Sequence, residues 1–381
     1  MIGVDATAFY GVAAGISRYL YEMLKAMLAA AASDDFILYS PRPVHVPLGP
    51  GPWRTHVPRE WRRHGRGRWL REDLPHLLAD DGVDVFWGQS TVLPLRLLRP
   101  CRRVLTVHDL TGLLYPRSME IRTRLYWGAN FRAAVRAADV FVADSLATEN
   151  LLHRLVPSSR GRTVVVHPGC PSGLTLLAPD VARQVVAEHF SLAGDFVLSV
   201  GTLEPRKDYP TLLRAVRALQ GAPTLAVAGS VGWRCRGILK QVRQAEADHL
   251  VRYLGRVGDA ELSALYGAAR LMVYPSFYEG FGFPLLEAMA RGCPVLCSWS
   301  SSLPEVGGSA ASYFRPRDPA DLARRLGGLL GDERRLGVMR ALGLVQAARF
   351  SFDTAAGQML GVLRGDDTVL GQPGAARIPS L

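Results

Sequence analysis

The feature that most constrains this chain is an alternation that runs twice along it. Short apolar runs rich in β-branched residues end in polar residues, and longer amphipathic segments separate them. The first series holds "IGVDAT", "FILYS", "GVDVFWG", "RRVLTVHDL", "DVFVADS" and "TVVVHPG". Between them stand helical segments, of which the first carries Leu20, Met23, Leu24, Met27 and Leu28 on one stripe. Strands separated by helices pair in parallel and build a doubly wound sheet. Around residues 171–192 the alternation weakens, and "GCPSGLTLLAPD" predicts a linker. The pattern then restarts with "DFVLSVG", "PTLAVAG", "VRYLG", "RLMVYPS" and "CPVLCS". Its helices include "YPTLLRAVRAL", "RGILKQVRQAEA" and "DAELSALYGAA", the last with Asp259 placed to cap it. At 381 residues the chain exceeds one ordinary core, so two α/β domains in series are expected.

Composition narrows the function classes. An apolar share of 48% with 21% charged residues describes a folded chain, not a disordered one. Neither series has a Gly-x-Gly-x-x-Gly fingerprint after its first strand, which argues against an ordinary NAD(P) or FAD enzyme. The cysteines Cys101, Cys170, Cys235, Cys293 and Cys297 form no C-x-x-C pair, which suits free thiols in a reducing compartment. The opening "MIGVDATAFYG" lacks the basic and apolar regions of a signal peptide, and no long uncharged apolar run follows. A cytoplasmic location is expected, with room for peripheral attachment at the inner face of the plasma membrane. The net charge of +11 concentrates in "WRTHVPREWRRHGRGRWLRED", where Trp53, Trp61 and Trp69 stand among seven arginines. That region, 53–71, reads as a solvated irregular connection, as a contact with anionic lipid, or, least favoured, as a nucleic-acid surface.

Ligands of doubly wound sheets bind at the carboxyl ends of the strands. The first series places His108, Asp109, Asp144 and Ser145 there, with Gly15 in the first loop. Asp109 and Asp144 are equally candidates for acceptor or supporting contacts and for capping a turn or helix. In the second series "SVGTLEPRKDYP" sets Gly201 and Thr202 after a strand and Arg206 and Lys207 before a helix. Two adjacent cations beside helix-terminal amides suit a diphosphate. "PSFYEGFGFPLLEAMARGCPV" adds Glu279 in a glycine turn and Glu287 inside the following helix. Ionised carboxylates only accept hydrogen bonds, and sugars and riboses offer hydroxyl donors. Glu279 with the amides of Gly280, Phe281 and Gly282 suits the sugar of a nucleotide sugar, and Glu287 suits its ribose. The glycines at 280 and 282 permit close backbone approach.

These stretches, with "SLPEVGGSAA" downstream, resemble the donor-binding half of the retaining GT-B glycosyltransferases of family four, glycosyl transferases group 1. "GVDATAFYGVAAGISRYL", "LTVHDL", "ADSLATENLL" and "RFSFDTAA" resemble other segments of that family, so the likeness spans most of the chain. It implies two Rossmann-like domains facing each other across a cleft. Residues 1–172 would bind the acceptor and 190–350 the nucleotide-sugar donor. Residues 351–364 would form a helix crossing back onto the first domain, and 365–381 a flexible tail. It also implies roles: Arg206 and Lys207 hold the diphosphate, Glu279 positions the transferred sugar, and Glu287 the ribose. His108 lines the sugar from the opposite domain, and Gly15 lets the first loop approach phosphate or acceptor.

The implied reaction moves a hexosyl group with retention, without metal or other cofactor, the nucleotide sugar being a co-substrate. "GISRYL", "VHDL" and "SSLPEV" run closest to bacterial enzymes that use GDP-mannose for polysaccharides and glycolipids. A UDP-sugar donor, as in aminoglycoside antibiotic glycosylation, stays open, with a saccharide, a lipid-linked or a natural-product acceptor. From other classes there remain a nucleotide-sugar epimerase and a non-catalytic basic lipid- or nucleic-acid-binding protein.

Overall fold

The computed structural model describes residues 1–10, 15–31, 34–58, 66–90, 92–116, 121–219, 221–366 and 368. The chain divides into two compact units. The first comprises Met1–Pro116, Ile121–Gly169 and a return segment that starts at Ser351; the second is built on Cys170–Phe350.

The first unit carries strands β1 (Ile2–Asp5), β2 (Phe36–Tyr39), β3 (Trp53–His56), β4 (Val85–Gln89), β5 (Arg102–Val107), β6 (Val140–Ala143) and β7 (Thr163–Val165). Their order in the sheet is β3-β2-β1-β4-β5-β6-β7, all in parallel register. Strands β1, β2, β4 and β6 are buried along their length, as continuous apolar runs covered on both faces must be. Helix Gly15–Ala30 buries Leu20, Met23, Leu24 and Met27. Against it packs the return helix Phe352–Arg364, which buries Ala355, Ala356, Met359 and Leu360.

The second unit carries β8 (Phe196–Val200), β9 (Thr224–Ala228), β10 (Val251–Gly255), β11 (Leu271–Tyr274), β12 (Val295–Ser298) and β13 (Ser312–Phe314). Its order is β10-β9-β8-β11-β12-β13, again parallel. In each sheet the direction of winding reverses once, between β1 and β4 and between β8 and β11. Such switch points are where an open α/β sheet leaves a crevice for a ligand.

Three expectations are corrected. The arginine- and tryptophan-rich region is no irregular connection throughout: Trp53–His56 forms edge strand β3, paired to β2. Trp69 is fully buried in the core of the first unit and is unavailable to a membrane or a nucleic acid. Residues 59–65, including Trp61, lie outside the described residues, as does nearly all of the tail. The linker stretch "GCPSGLTLLAPD" is irregular up to Ala178, as read, but the rest of 171–192 is mostly helix: Pro179–Phe190 packs on helix Asp259–Ala268. Its periodicity is short and polar-rich, with only Ala182 and Val186 buried. Finally, Asp259 does not cap its helix; Glu261 Oε2 accepts the Gly258 N–H at 2.9 Å instead.

Candidate active site

In the second unit, both loops singled out in the sequence leave the strands that flank the switch point. After β8 the chain turns at Gly201, whose φ of +150° favours glycine, and Tyr209 Oη donates to the Gly201 carbonyl at 2.6 Å. The short helix Pro205–Lys207 then presents Arg206 and Lys207. After β11 the chain runs through Ser276 to Glu279 and turns at Gly282, φ +111°, into helix Phe283–Ala290. The loops are joined directly: the Arg206 carbonyl accepts from Phe277 N–H at 3.0 Å and from Ser276 Oγ at 3.1 Å.

The functional side chains converge on Glu279, which is buried. Lys207 Nζ donates to Glu279 Oε1 at 2.6 Å and to Tyr274 Oη at 2.7 Å. Arg206 Nη1 donates to Glu279 Oε2 and to the Tyr278 carbonyl, the latter at 3.2 Å. Arg206 Nε also pairs with Glu204 Oε1 at 2.7 Å. Burial alone would raise the Glu279 carboxyl, but Arg206 and Lys207 outweigh it and hold the group at about 2. Burial lowers the Lys207 ammonium below its ordinary value, and Glu279 works against that shift. Arg206 and Lys207 are not two uncommitted cations, because Glu204 and Glu279 match them charge for charge.

A serine-rich loop after β12 fixes the carboxylate's backbone. Ser301 Oγ accepts the Glu279 N–H at 2.8 Å, and Ser302 Oγ donates to the carbonyls of Phe281 at 2.7 Å and Glu279 at 3.1 Å. Ser300 Oγ donates to the Phe277 carbonyl at 2.5 Å, and Ser298 Oγ to that of Ser276. The sequence reading gave these serines no role; Ser301 and Ser302 entered it only within "SSLPEV" and "SLPEVGGSAA".

The remaining donor-site candidates differ in what they contribute. Thr202 lies beside Gly232, where a Cβ would stand 2.5 Å from Thr202 Cγ2. The Phe281 ring belongs to the core, edge-on to Phe283 and Phe350. Glu287 sits just over one turn into its helix, buried, and accepts from Tyr266 Oη at 3.1 Å.

In the first unit the carboxyl ends of three neighbouring strands meet. His108 follows β5, with Nδ1 2.7 Å from Asp144 Oδ2 after β6 and Nε2 2.9 Å from Gln89 Oε1 on β4. The edge of the Tyr19 ring closes over the imidazole, centroids 4.8 Å apart. Asp144 is thus a support for His108, and Gln89 is a member of the set that the sequence did not disclose. Asp109 and Ser145 hold local backbone: Asp109 Oδ1 accepts Thr111 N–H at 2.9 Å in a turn, and Ser145 Oγ caps its helix by accepting Thr148 N–H at 3.0 Å. Gly15 is the exposed first residue of its helix, with no described atom within 4 Å of where a Cβ would stand. Among the described residues no cluster of three or more His, Cys, Asp or Glu could hold a metal ion. No helix among them is long and apolar enough to cross a membrane.

Two family profiles match the chain: "Glycosyl transferases group 1" over residues 186–341 and "Glycosyltransferase Family 4" over residues 13–172. The O-antigen chain mannosyltransferase B of Escherichia coli is 32% identical over 280 residues, covering 72% of this chain and 73% of that protein. The serotype-specific mannosyltransferase WbdA of the same species is 29% identical over 271 residues, and the match spans only 32% of its length. Among solved structures, a sucrose-phosphate synthase from Thermosynechococcus elongatus superposes with a TM-score of 0.75 at 22% identity. That superposition covers 95% of this chain and 98% of the other.

Proposed function

The chain belongs to the group 1 glycosyltransferases of GT-B fold, and on that premise we propose that it moves a mannosyl group from GDP-mannose to a saccharide or glycolipid hydroxyl. The observation that carries the reading is the meeting of the two switch-point loops, with Arg206 and Lys207 on Glu279. Two cations there can take a diphosphate and stabilise the charge it gains on leaving. Glu279 and the backbone of Gly280–Gly282 take sugar hydroxyls, and Glu287 takes the ribose. The mannosyl donor is supported by the mannosyltransferase B likeness.

The proposed transfer retains the anomeric configuration and uses no metal. The bond from the anomeric carbon to the departing phosphate breaks, and the acceptor oxygen bonds to that carbon on the same face. The acceptor hydroxyl's proton passes to the departing phosphate oxygen. Glu279 is a poor nucleophile for the alternative double displacement, since both of its oxygens already accept from cations.

A thermal-shift panel of GDP, UDP, ADP and their sugars tests the reading. A nucleotide at 100 times its dissociation constant adds roughly 2.7 kcal/mol of stability. GDP-mannose is expected to stabilise the chain, and to give an α-linked product when supplied with a mannose-terminated saccharide, unchanged by EDTA. No shift with any nucleotide, or an inverted linkage, overturns it.

A further inference from the structure

Resting on that reading, we infer that Glu279 determines selectivity between the nucleotide sugar and the bare nucleoside diphosphate left after transfer. The groups proposed to take the diphosphate are already satisfied by protein carboxylates. Lys207 Nζ is on Glu279 Oε1 at 2.6 Å, Arg206 Nη1 is on Glu279 Oε2, and Arg206 Nε is on Glu204 Oε1 at 2.7 Å. Two positive and two negative charges leave this cluster without excess charge to attract an anion. A diphosphate therefore competes with Glu279 for the same two donors.

Glu279 differs from Glu204 in burial and in backbone support. Its side chain is 8% exposed against 16% for Glu204, and its own N–H and carbonyl are held by Ser301 and Ser302. Its backbone stays fixed while the carboxylate exchanges partners. Displacing a buried carboxylate from two cations is costly unless a new donor reaches it. A nucleotide sugar carries such donors as hydroxyls, and a nucleoside diphosphate has none at that place. The sugar-bearing ligand thus compensates for the carboxylate it displaces, and the bare diphosphate does not. Once the sugar has left, Glu279 regains Arg206 and Lys207 and the spent nucleotide is expelled.

The test is calorimetric titration of GDP and of GDP-mannose into wild type, Glu279→Gln and Glu204→Gln, with folding confirmed by thermal melting. Glu279→Gln is expected to bind GDP about tenfold more tightly than wild type, a change of about 1.4 kcal/mol. Its preference for GDP-mannose over GDP is expected to fall towards one. Glu204→Gln is expected to strengthen both ligands alike and keep their ratio. If wild type binds GDP while Glu279→Gln binds it equally or more weakly, this inference falls and the glycosyl-transfer reading stands. If wild type binds neither GDP nor GDP-mannose, both fall. Should Glu279→Gln fail to fold, a structure of wild type with GDP alone decides. A Glu279 carboxylate displaced from both cations supports the inference, and one still seated on them overturns it.

Discussion

The two sheets end in polar clusters built on opposite plans. At the carboxyl ends of β5 and β6, one carboxylate supports one imidazole, and Gln89 completes the row. At the ends of β8 and β11, two carboxylates meet two cations beneath a loop of serines. The first cluster is sparsely held: Gln89 Nε2 and Asp144 Oδ1 are buried with no hydrogen-bond partner among the described residues. In the second, neutral hydroxyls fix the backbone and charges fix the side chains, so position and charge are controlled separately. The difference teaches where each is vulnerable. Changes in the second should act through charge, and changes in the first through orientation.

The largest expected effect tests the charge side. Lys207→Ala removes a cation from the proposed leaving group and leaves Glu279 less compensated, so kcat should fall by roughly 10²–10³-fold in a steady-state transfer assay. A loss below about tenfold would place the electrostatic work elsewhere. The next concerns acid stability. Glu279 is held at about 2 against an ordinary 4.5, so its contribution is complete above about pH 4.5 and is lost as the pH falls towards 2. By itself that shift corresponds to about 3 kcal/mol, offset in part by the burial that lowers Lys207. Urea midpoints measured from pH 5 to pH 2 should decline less steeply in Glu279→Gln than in wild type.

The smallest effects separate orientation from capping in two adjacent residues. Asp144→Asn should reduce transfer by roughly tenfold or more while preserving the fold, because it disturbs the ring that Asp144 holds. Ser145→Ala should leave kcat unchanged and cost about 1 kcal/mol of stability by removing the helix cap. Equal kinetic loss in both variants would mean that this strand end acts only as scaffold.

The sequence disclosed the second cluster better than the first for a physical reason. "EPRKDYP" and "FYEGFGFPLLE" each carry several functional residues within one loop, and glycines advertise the turns. Gln89, His108 and Asp144 lie at the ends of separate strands, so only the order β4-β5-β6 brings them together. Their mutual contacts leave no local signature. Edge strand β3 was missed because "WRTH" is polar and basic, as an edge that faces solvent can be. Trp69 was misread because a tryptophan among arginines looks exposed, whereas here it fills the core. The compensation of Arg206 and Lys207 by Glu204 and Glu279 was equally hidden. Sequence gives the signs of charges but not their pairing.

The return helix Phe352–Arg364 has a consequence for how the chain is made. It covers helix Gly15–Ala30 and touches β4, and the Phe352 ring lies edge-on to Tyr19 at 6.3 Å. The first unit therefore needs a piece that leaves the ribosome after the whole second unit. At 5–20 residues per second, the roughly 180 intervening residues take on the order of 10–35 s. During that interval the apolar face of Gly15–Ala30 waits without its native cover, exposed to chaperones or to another nascent chain. The second unit, whose main segment is continuous, has no such wait. Birth order thus runs against chain order, and the first domain to begin is the last to finish.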